Sequence, residues 1–197
     1  MDRYAHPNLG RLIQPRHTSS IEQTAQSGRP WAADNDCYQA LDADAYERML
    51  RRIKGLSGCL FVTVPDVVAD ANATATLWDT WAPIVKSYNL PRALVLQDGL
   101  TESDVPWDDI EAVFVGGSTE YKLGTQAAKI VAEANKRQKW THMGRVNTQR
   151  RIRYAKSIGI KSIDGTKYAR FKRAYMREGL AAVSSCTQLN LLTDDAA

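Results

Sequence analysis

Short apolar runs in this chain repeatedly end on residues able to accept or donate hydrogen bonds. Asp34 and Asp36 follow Pro30–Ala33, Asp66 follows Cys59–Val64, and Gln97 follows Arg92–Leu96. Gly116 and Gly117 follow Ala112–Val115, Met143 and Gly144 close the run from Trp140, and Asp164 ends Ser162–Asp164. Carboxylates accept from ring N–H groups and exocyclic amines, while a Gln amide and backbone N–H groups donate to a carbonyl oxygen. Gathered in one place, these groups can read the edge of a purine-like ring, with an apolar thioether and an aromatic ring to hold it flat. A single Asp at such a position is more often a helix cap or a turn former. The signal is the ordered set.

Gathering them requires a particular frame. Between the apolar runs lie helical patterns, about Ala45–Leu56, Ala71–Tyr88, Thr119–Arg137, Thr148–Ser157 and Lys167–Ala182. Asp42 or Asp44 is placed to cap the first, and Asp70 the second. Arg11–Gln14 supplies one more strand, followed by a polar loop, Pro15–Gly28. Strands alternating with helices predict an α/β fold with a parallel sheet. Seven strands, each ending in a polar cluster, predict a (β/α) TIM-like barrel whose chemistry sits at the C-terminal ends of its strands. A typical barrel takes ~250 residues, so a chain of 197 must be pared down, with an irregular or missing element. The competing frame is a doubly wound open sheet, but no GxGxxG turn supports a dinucleotide site.

Composition bounds the rest. The chain is 44% hydrophobic and 24% charged, the range of a globular protein, and it is expected to form one domain, residues 1–197, with a basic helical region at 145–182. No apolar run is long enough to span a bilayer, and the first residues lack an apolar signal region. A cytoplasmic location is therefore expected, in a bacterial or phage-infected cell if the resemblance below holds. Cys37, Cys59 and Cys186 are odd in number and widely spaced, which argues against disulfides and a Cys-based metal site. The net charge of +4 is unevenly spread: Lys136–Arg177 holds 14 Lys or Arg against one acid, Asp164, and the remainder carries 12 basic and 21 acidic residues. Such a run is the electrostatic footprint of a polyanion partner, or else a solvated helix face.

These motifs carry a resemblance. The segment Ala33-Asp34-Asn35-Asp36-Cys37-Tyr38-Gln39 resembles the Asp-Ser-Gly-Gly-Phe-Gln motif of tRNA-guanine transglycosylases. Val64-Pro65-Asp66, Leu96-Gln97-Asp98-Gly99, Val115-Gly116-Gly117, His142-Met143-Gly144 and Ile163-Asp164 resemble that family's later motifs in order, over about residues 31–166. The tRNA enzymes also carry a C-terminal zinc site, and nothing here matches it. A short, zinc-less chain with Pro30–Asn35 and Pro65–Asp70 is most similar to the phage and bacterial DpdA-type DNA 7-deazaguanine transglycosylases.

The resemblance implies exchange of guanine in DNA for a 7-deazaguanine by a glycosyltransferase without a cofactor or metal. Asp164 would be the nucleophile at the sugar and Asp34 the proton shuttle. Asp66, Gln97, Gly116 and Gly117 would bind the base edge, with Tyr38, Met143 and Gly144 around the ring. DNA would be held by Arg145, Arg150, Arg151, Arg153, Lys167, Arg170, Lys172 and Arg173. Carboxylates brought close repel, so one is expected to keep its proton near neutral pH. The alternatives are the same exchange on tRNA, an inactive nucleic-acid-binding relative, and a metal-dependent hydrolase using Asp34, Asp36, Asp66 and His142. The sequence assigns no oligomeric state.

Overall fold

The computed structural model describes residues 6–17, 21–38, 40–165, 173–185 and 190–193. Their strands run β1 (Leu9–Ile13), β2 (Trp31–Ala33), β3 (Cys59–Thr63), β4 (Arg92–Leu96), β5 (Ala112–Val115), β6 (Trp140–Met143), β7 (Ser162–Asp164) and β8 (Asn190–Thr193). All neighbours pair in parallel, and β8 pairs back onto β1 (Leu9 with Leu191, Arg11 with Thr193) to close a barrel in chain order. The expected fold class is the observed one. The eighth strand lies in a tail read from sequence as a basic helix and a polar end.

The helices are α1 (Ile21–Gln26), α2 (Ala43–Ile53), α3 (Ala71–Ser87), α4 (Thr119–Lys122), α5 (Thr125–Lys136), α6 (Gln149–Ser157) and α7 (Arg173–Ser184). Four begin on side-chain caps that satisfy a first-turn N–H: Asp42 accepts from the amide of Ala45, Asp70 from Ala73, Ser118 from Tyr121, and Thr148 from Arg151. The helix expected as one piece over 119–137 is two, because Gly124 turns the chain and becomes the N-cap of α5. α1 sits inside the stretch expected as a loop. The β4–β5 connection has only a 3-10 turn, Glu102–Asp104, and this is where the barrel is pared down.

Alternation along each strand separates two apolar layers. Leu12, Ala32, Phe61, Ala93 and Ala112 fill the barrel interior. Their neighbours Ile13, Ala33 and Val62, with Val113, Val115 and Met143, face the helices in two larger clusters. Met49, Leu50 and Ile53 of α2 and Ile130, Val131 and Ala134 of α5 meet them from outside. No described helix is long and apolar enough to cross a membrane.

Candidate functional site

The C-terminal ends of the strands surround a cavity of about 500 Å³, the position where barrels of this kind place their chemistry. Asp34, Asp66 and Asp164, from the ends of β2, β3 and β7, all line it, with Gln97, Gly116, Gly117, Gly144, Tyr38 and Arg145. Met143 is not among the lining residues. It is buried in the layer between barrel and helices, so the expected pairing of Tyr38 and Met143 across a flat ring does not form.

On the β2–β4 side the polar groups hold one another. Asn35 donates to one Asp66 oxygen at 2.6 Å and to the carbonyl of Val64 at 3.0 Å, and its own oxygen accepts from the amide of Cys37 at 2.9 Å. Gln97 donates to the other Asp66 oxygen at 2.5 Å and accepts from the amide of Ala69 at 2.8 Å. Asn35, which stands where the resembling motif has a serine, is thus the residue that orients Asp66. Burial nevertheless pushes the Asp66 carboxyl above its ordinary range, against the pull of the two amides. Asp34 accepts from Thr63 at 3.2 Å, Gln14 at 3.4 Å and the amide of Asn35 at 3.0 Å. Burial, then the charges of Asp164 and Asp66, raise its pKa to about 7. The expectation that one crowded carboxyl keeps its proton near neutrality settles on Asp34.

On the β5–β7 side a chain of hydrogen bonds leads out from the barrel interior. Trp140 Nε1 donates to Ser162 Oγ at 2.8 Å, Ser162 lies 2.8 Å from His142 Nδ1, and His142 Nε2 lies 3.0 Å from Asp164 Oδ2. A carboxylate needs a donor, so His142 presents an Nε2 proton to Asp164, and in the neutral tautomer the Ser162 hydroxyl donates to Nδ1. The imidazole is fully buried between Phe61 and Phe114, with ring centroids at 5.1 and 4.6 Å. Arg145 N donates to Asp164 Oδ1 at 3.0 Å, which fixes both carboxylate oxygens. Gly144 has to be glycine here, because a Cβ would lie 2.7 Å from the Phe114 ring and 3.3 Å from Asp164 Oδ2. Gly117, at φ +75°, lies against Asp98, which accepts from the amide and hydroxyl of Ser118. The Gly116–Gly117 turn is therefore held from Asp98, the neighbour of Gln97 in sequence.

Two cavity residues carry no signal in the sequence. Lys122, the last residue of α4, is buried and donates to the carbonyl of Gly144 at 3.2 Å. Burial lowers its pKa to about 8, with Arg145 and Arg151 adding to the shift and Asp164 opposing it. Arg16 pairs with Asp36 at the rim. Asp36, Ala69 and Arg145 all have φ near +60°, so the loops after β2, β3 and β6 each carry a left-handed residue that is not glycine, a feature that clusters at functional sites.

Of the expected DNA contacts, Arg150 and Arg153 are exposed on α6, whereas Arg151 is tied to the carbonyl of Arg145 and to Thr119. Lys167, Arg170 and Lys172 lie outside the described residues, as does the side chain of Arg173. Among the described residues no group of three or more His, Cys, Asp or Glu is placed to hold a metal ion, and the hydrolase alternative has no ligand set there. Cys37 and Cys59 are free thiols, and burial raises Cys37 to about 12, which leaves it inert as a nucleophile.

No protein-family model and no curated protein matches the chain. Solved structures do. A mandelate oxidase variant carrying a monooxide FMN adduct superimposes with a TM-score of 0.58 at 17% identity, over 90% of this chain and 62% of the oxidase. A variant with (S)-mandelic acid gives 0.58 at 16%, over the same shares of each chain, and one with 3,3,3-trifluoro-2,2-dihydroxypropanoic acid gives 0.59 at 16%. The chain spans about 62% of the length of these oxidases, and the likeness establishes the barrel.

These neighbours overturn the transglycosylase expectation. They are mandelate oxidases, and no family model, of a transglycosylase or any other kind, matches. Glycosyltransferase activity, exchange of guanine for a 7-deazaguanine, DNA or tRNA as partner, and an inactive nucleic-acid-binding relative are all withdrawn. The physical reason is that the motifs behind the resemblance belong to parallel barrels generally. A strand-end Asp and a Gly-Gly turn recur wherever a strand hands over to a helix, and the basic run meets the ordinary need of α6 for a solvated face.

Proposed function

We propose that the chain is an enzyme of acid–base chemistry, moving a proton at a carbon next to the carbonyl group of a small polar molecule held in the barrel mouth. The observation that carries this reading is the convergence of Asp34, Asp66 and Asp164 on one cavity, with Asp34 poised at about 7. A general base works best when its pKa lies near the working pH, and a raised carboxyl of this kind marks a functional site. Asp34 takes or returns the proton. Asp66, clamped by Asn35 and Gln97, accepts a donor of the substrate and fixes its orientation. The Lys122 ammonium supplies positive charge for the oxygen that becomes negative as the proton leaves.

The mandelate oxidases hold FMN, and the described residues here do not fit that group. A flavin phosphate needs unspent N–H donors. At this rim the amides of Asn35, Ser118 and Arg145 are already given to side-chain oxygens. Hydride chemistry through a flavin is therefore outside this reading.

The test is proton exchange in deuterated water with a panel of small ketones, aldehydes and oxo acids, followed by NMR. The wild type should wash deuterium into the carbon beside one substrate's carbonyl, faster as pH rises through about 7 and Asp34 ionises. Asp34→Asn should slow that exchange ~10²–10⁴-fold. Exchange at the same rate in Asp34→Asn, or none with any compound, refutes the reading.

A further inference from the structure

Lys122 is unusual among the cations of this protein. Its ammonium is buried at the cavity wall, and its hydrogen bond goes to a backbone carbonyl, Gly144 O at 3.2 Å. Among the described residues no carboxylate pairs with it. A lysine buried for structure alone is normally matched to an acid, because an unneutralised buried charge is costly. Here the α4 turn, capped by Ser118, brings an amine to the cavity with no ion-pair partner among the described residues, the charges of Asp164 and Asp98 acting on it only from farther off. The next residue along the β6 loop from its acceptor is Arg145, which also lines the cavity. The Arg145 guanidinium stacks on the exposed ring of Tyr38 at 4.0 Å, and no described carboxylate pairs with it. One wall thus presents an amine and, next to it, an anion-binding guanidinium whose N–H edges stay open while its face is covered.

We infer that Lys122 is a nucleophilic amine that forms an iminium with a small oxo acid, the carbonyl carbon meeting Lys122 and the substrate carboxylate meeting Arg145. The neutral amine attacks the carbonyl carbon, forming a C–N bond as the C=O π pair moves to oxygen. A proton passes from nitrogen to that oxygen to give a carbinolamine. The C–O bond then breaks, a proton from the Asp34 carboxyl goes to the departing hydroxyl, and water leaves an iminium. No oxidant or reductant is involved. An iminium withdraws electrons from the neighbouring carbon more strongly than a ketone does, so it replaces the charge that the Lys122 ammonium would otherwise lend to the carbonyl oxygen, and the step rests on the acid–base reading above.

The probe is glyoxylate with sodium cyanoborohydride, which reduces an iminium and leaves a carboxymethyl group on the lysine that formed it. The lowering from 10.5 to about 8 leaves on the order of a hundredfold more neutral amine at pH 7 than an ordinary lysine has. Peptide mapping of the intact protein at pH 7 should find Lys122 modified at least about tenfold more than exposed Lys136. Lys122→Arg keeps the cation and a donor for Gly144 O but should lose the preferred label. Arg145→Met should lower labelling by glyoxylate clearly more than labelling by acetaldehyde, which lacks the carboxylate and feels only the lost effect of the guanidinium charge on the amine. A lysine that only ties the α4 turn to the β6 loop would be labelled no faster than Lys136, and that result overturns the inference. So does labelling confined to surface lysines in both wild type and Lys122→Arg. Trapping requires no turnover. If Asp34→Asn retains exchange while Lys122 still traps, the acid–base reading fails and the amine stands. If exchange depends on Asp34 and Lys122 does not trap, the reverse holds.

Discussion

On the β2–β4 side of the mouth, Asn35 and Gln97 grip Asp66 from both sides in a chain of bonds between 2.5 and 2.9 Å, in which each amide oxygen also accepts from a backbone N–H. On the β5–β6 side, Lys122 reaches a single carbonyl at 3.2 Å, and Arg145 lies across Tyr38. The first wall uses its hydrogen-bonding capacity on itself. The second holds its two cations outside any described ion pair, with carboxylates acting on them only from farther off. A fully satisfied polar network is rigid, which suits a surface that orients a substrate. An amine with one weak tie can exchange that tie for a reacting atom. The division of labour follows from where each group is anchored: the first set stands at strand ends, the second on a short helix and on a loop residue at φ near +60°.

The comparison can be broken at Asp34, which belongs to the rigid side yet titrates. Its folded pKa of about 7 stands above the ~3.9 of an unfolded aspartate. Between these values the folded state binds more protons, so stability falls as pH rises from about 4 to about 7. The ceiling on that loss is about 4 kcal/mol. Asp34→Asn should remove most of it, making the variant more stable than the wild type at pH 8 and similar at pH 4 by urea unfolding. A constant difference across that range would show that Asp34 is not held protonated.

Gln97→Leu sharpens the contrast. It strips one donor from a buried carboxylate and the acceptor from the amide of Ala69, at a cost of about 2–3 kcal/mol. Lys122→Met, which removes a buried charge and one bond, should cost less than Gln97→Leu in the same urea experiment. The reverse order would mean that the wall with the fewer bonds is the one that holds the mouth together.

The smallest effect is expected at Ser162→Ala. The hydroxyl accepts from Trp140 and donates to His142, and its loss should cost about 1 kcal/mol. It should also free the proton of His142 to leave Nε2. Nitrogen-15 NMR of the imidazole should report Nε2–H in the wild type and a tautomer mixture in Ser162→Ala. A wild-type signal already mixed would refute the relay.

Strand positions were legible because apolar runs bounded by turn residues are a local property. From Trp31 to Asp164 the expected strands match the observed ones to within a residue. β8 was not legible: Asn190–Thr193 is four residues in a polar tail, and its pairing with β1 is a long-range fact. The strand-end acids could be found by counting along the chain, which is why Asp34, Asp66, Gln97 and Asp164 were singled out and do share one cavity. Lys122 could not, since a Lys at the end of a four-residue helix reads as a solvated charge. The path from His142 to Asp164 depends on the inward face of β6, which alternation offers without saying which neighbour it meets. The family resemblance failed for the reason that strand detection succeeded: both rest on signals that any parallel barrel emits.

The seam between β1 and β8 joins Leu9 to Leu191, nearly the full described length apart, and this has a consequence for how the molecule comes into being. During synthesis β1 is made well before β8 and keeps one edge unpaired until β8 follows it. An open parallel edge is a template for pairing with another chain, and such distant contacts form slowly. β8 lies between β1 and β7, whose end carries Asp164, so the barrel around the cavity closes only when β8 docks. The nascent chain should therefore be most vulnerable to association with its own copies before that moment.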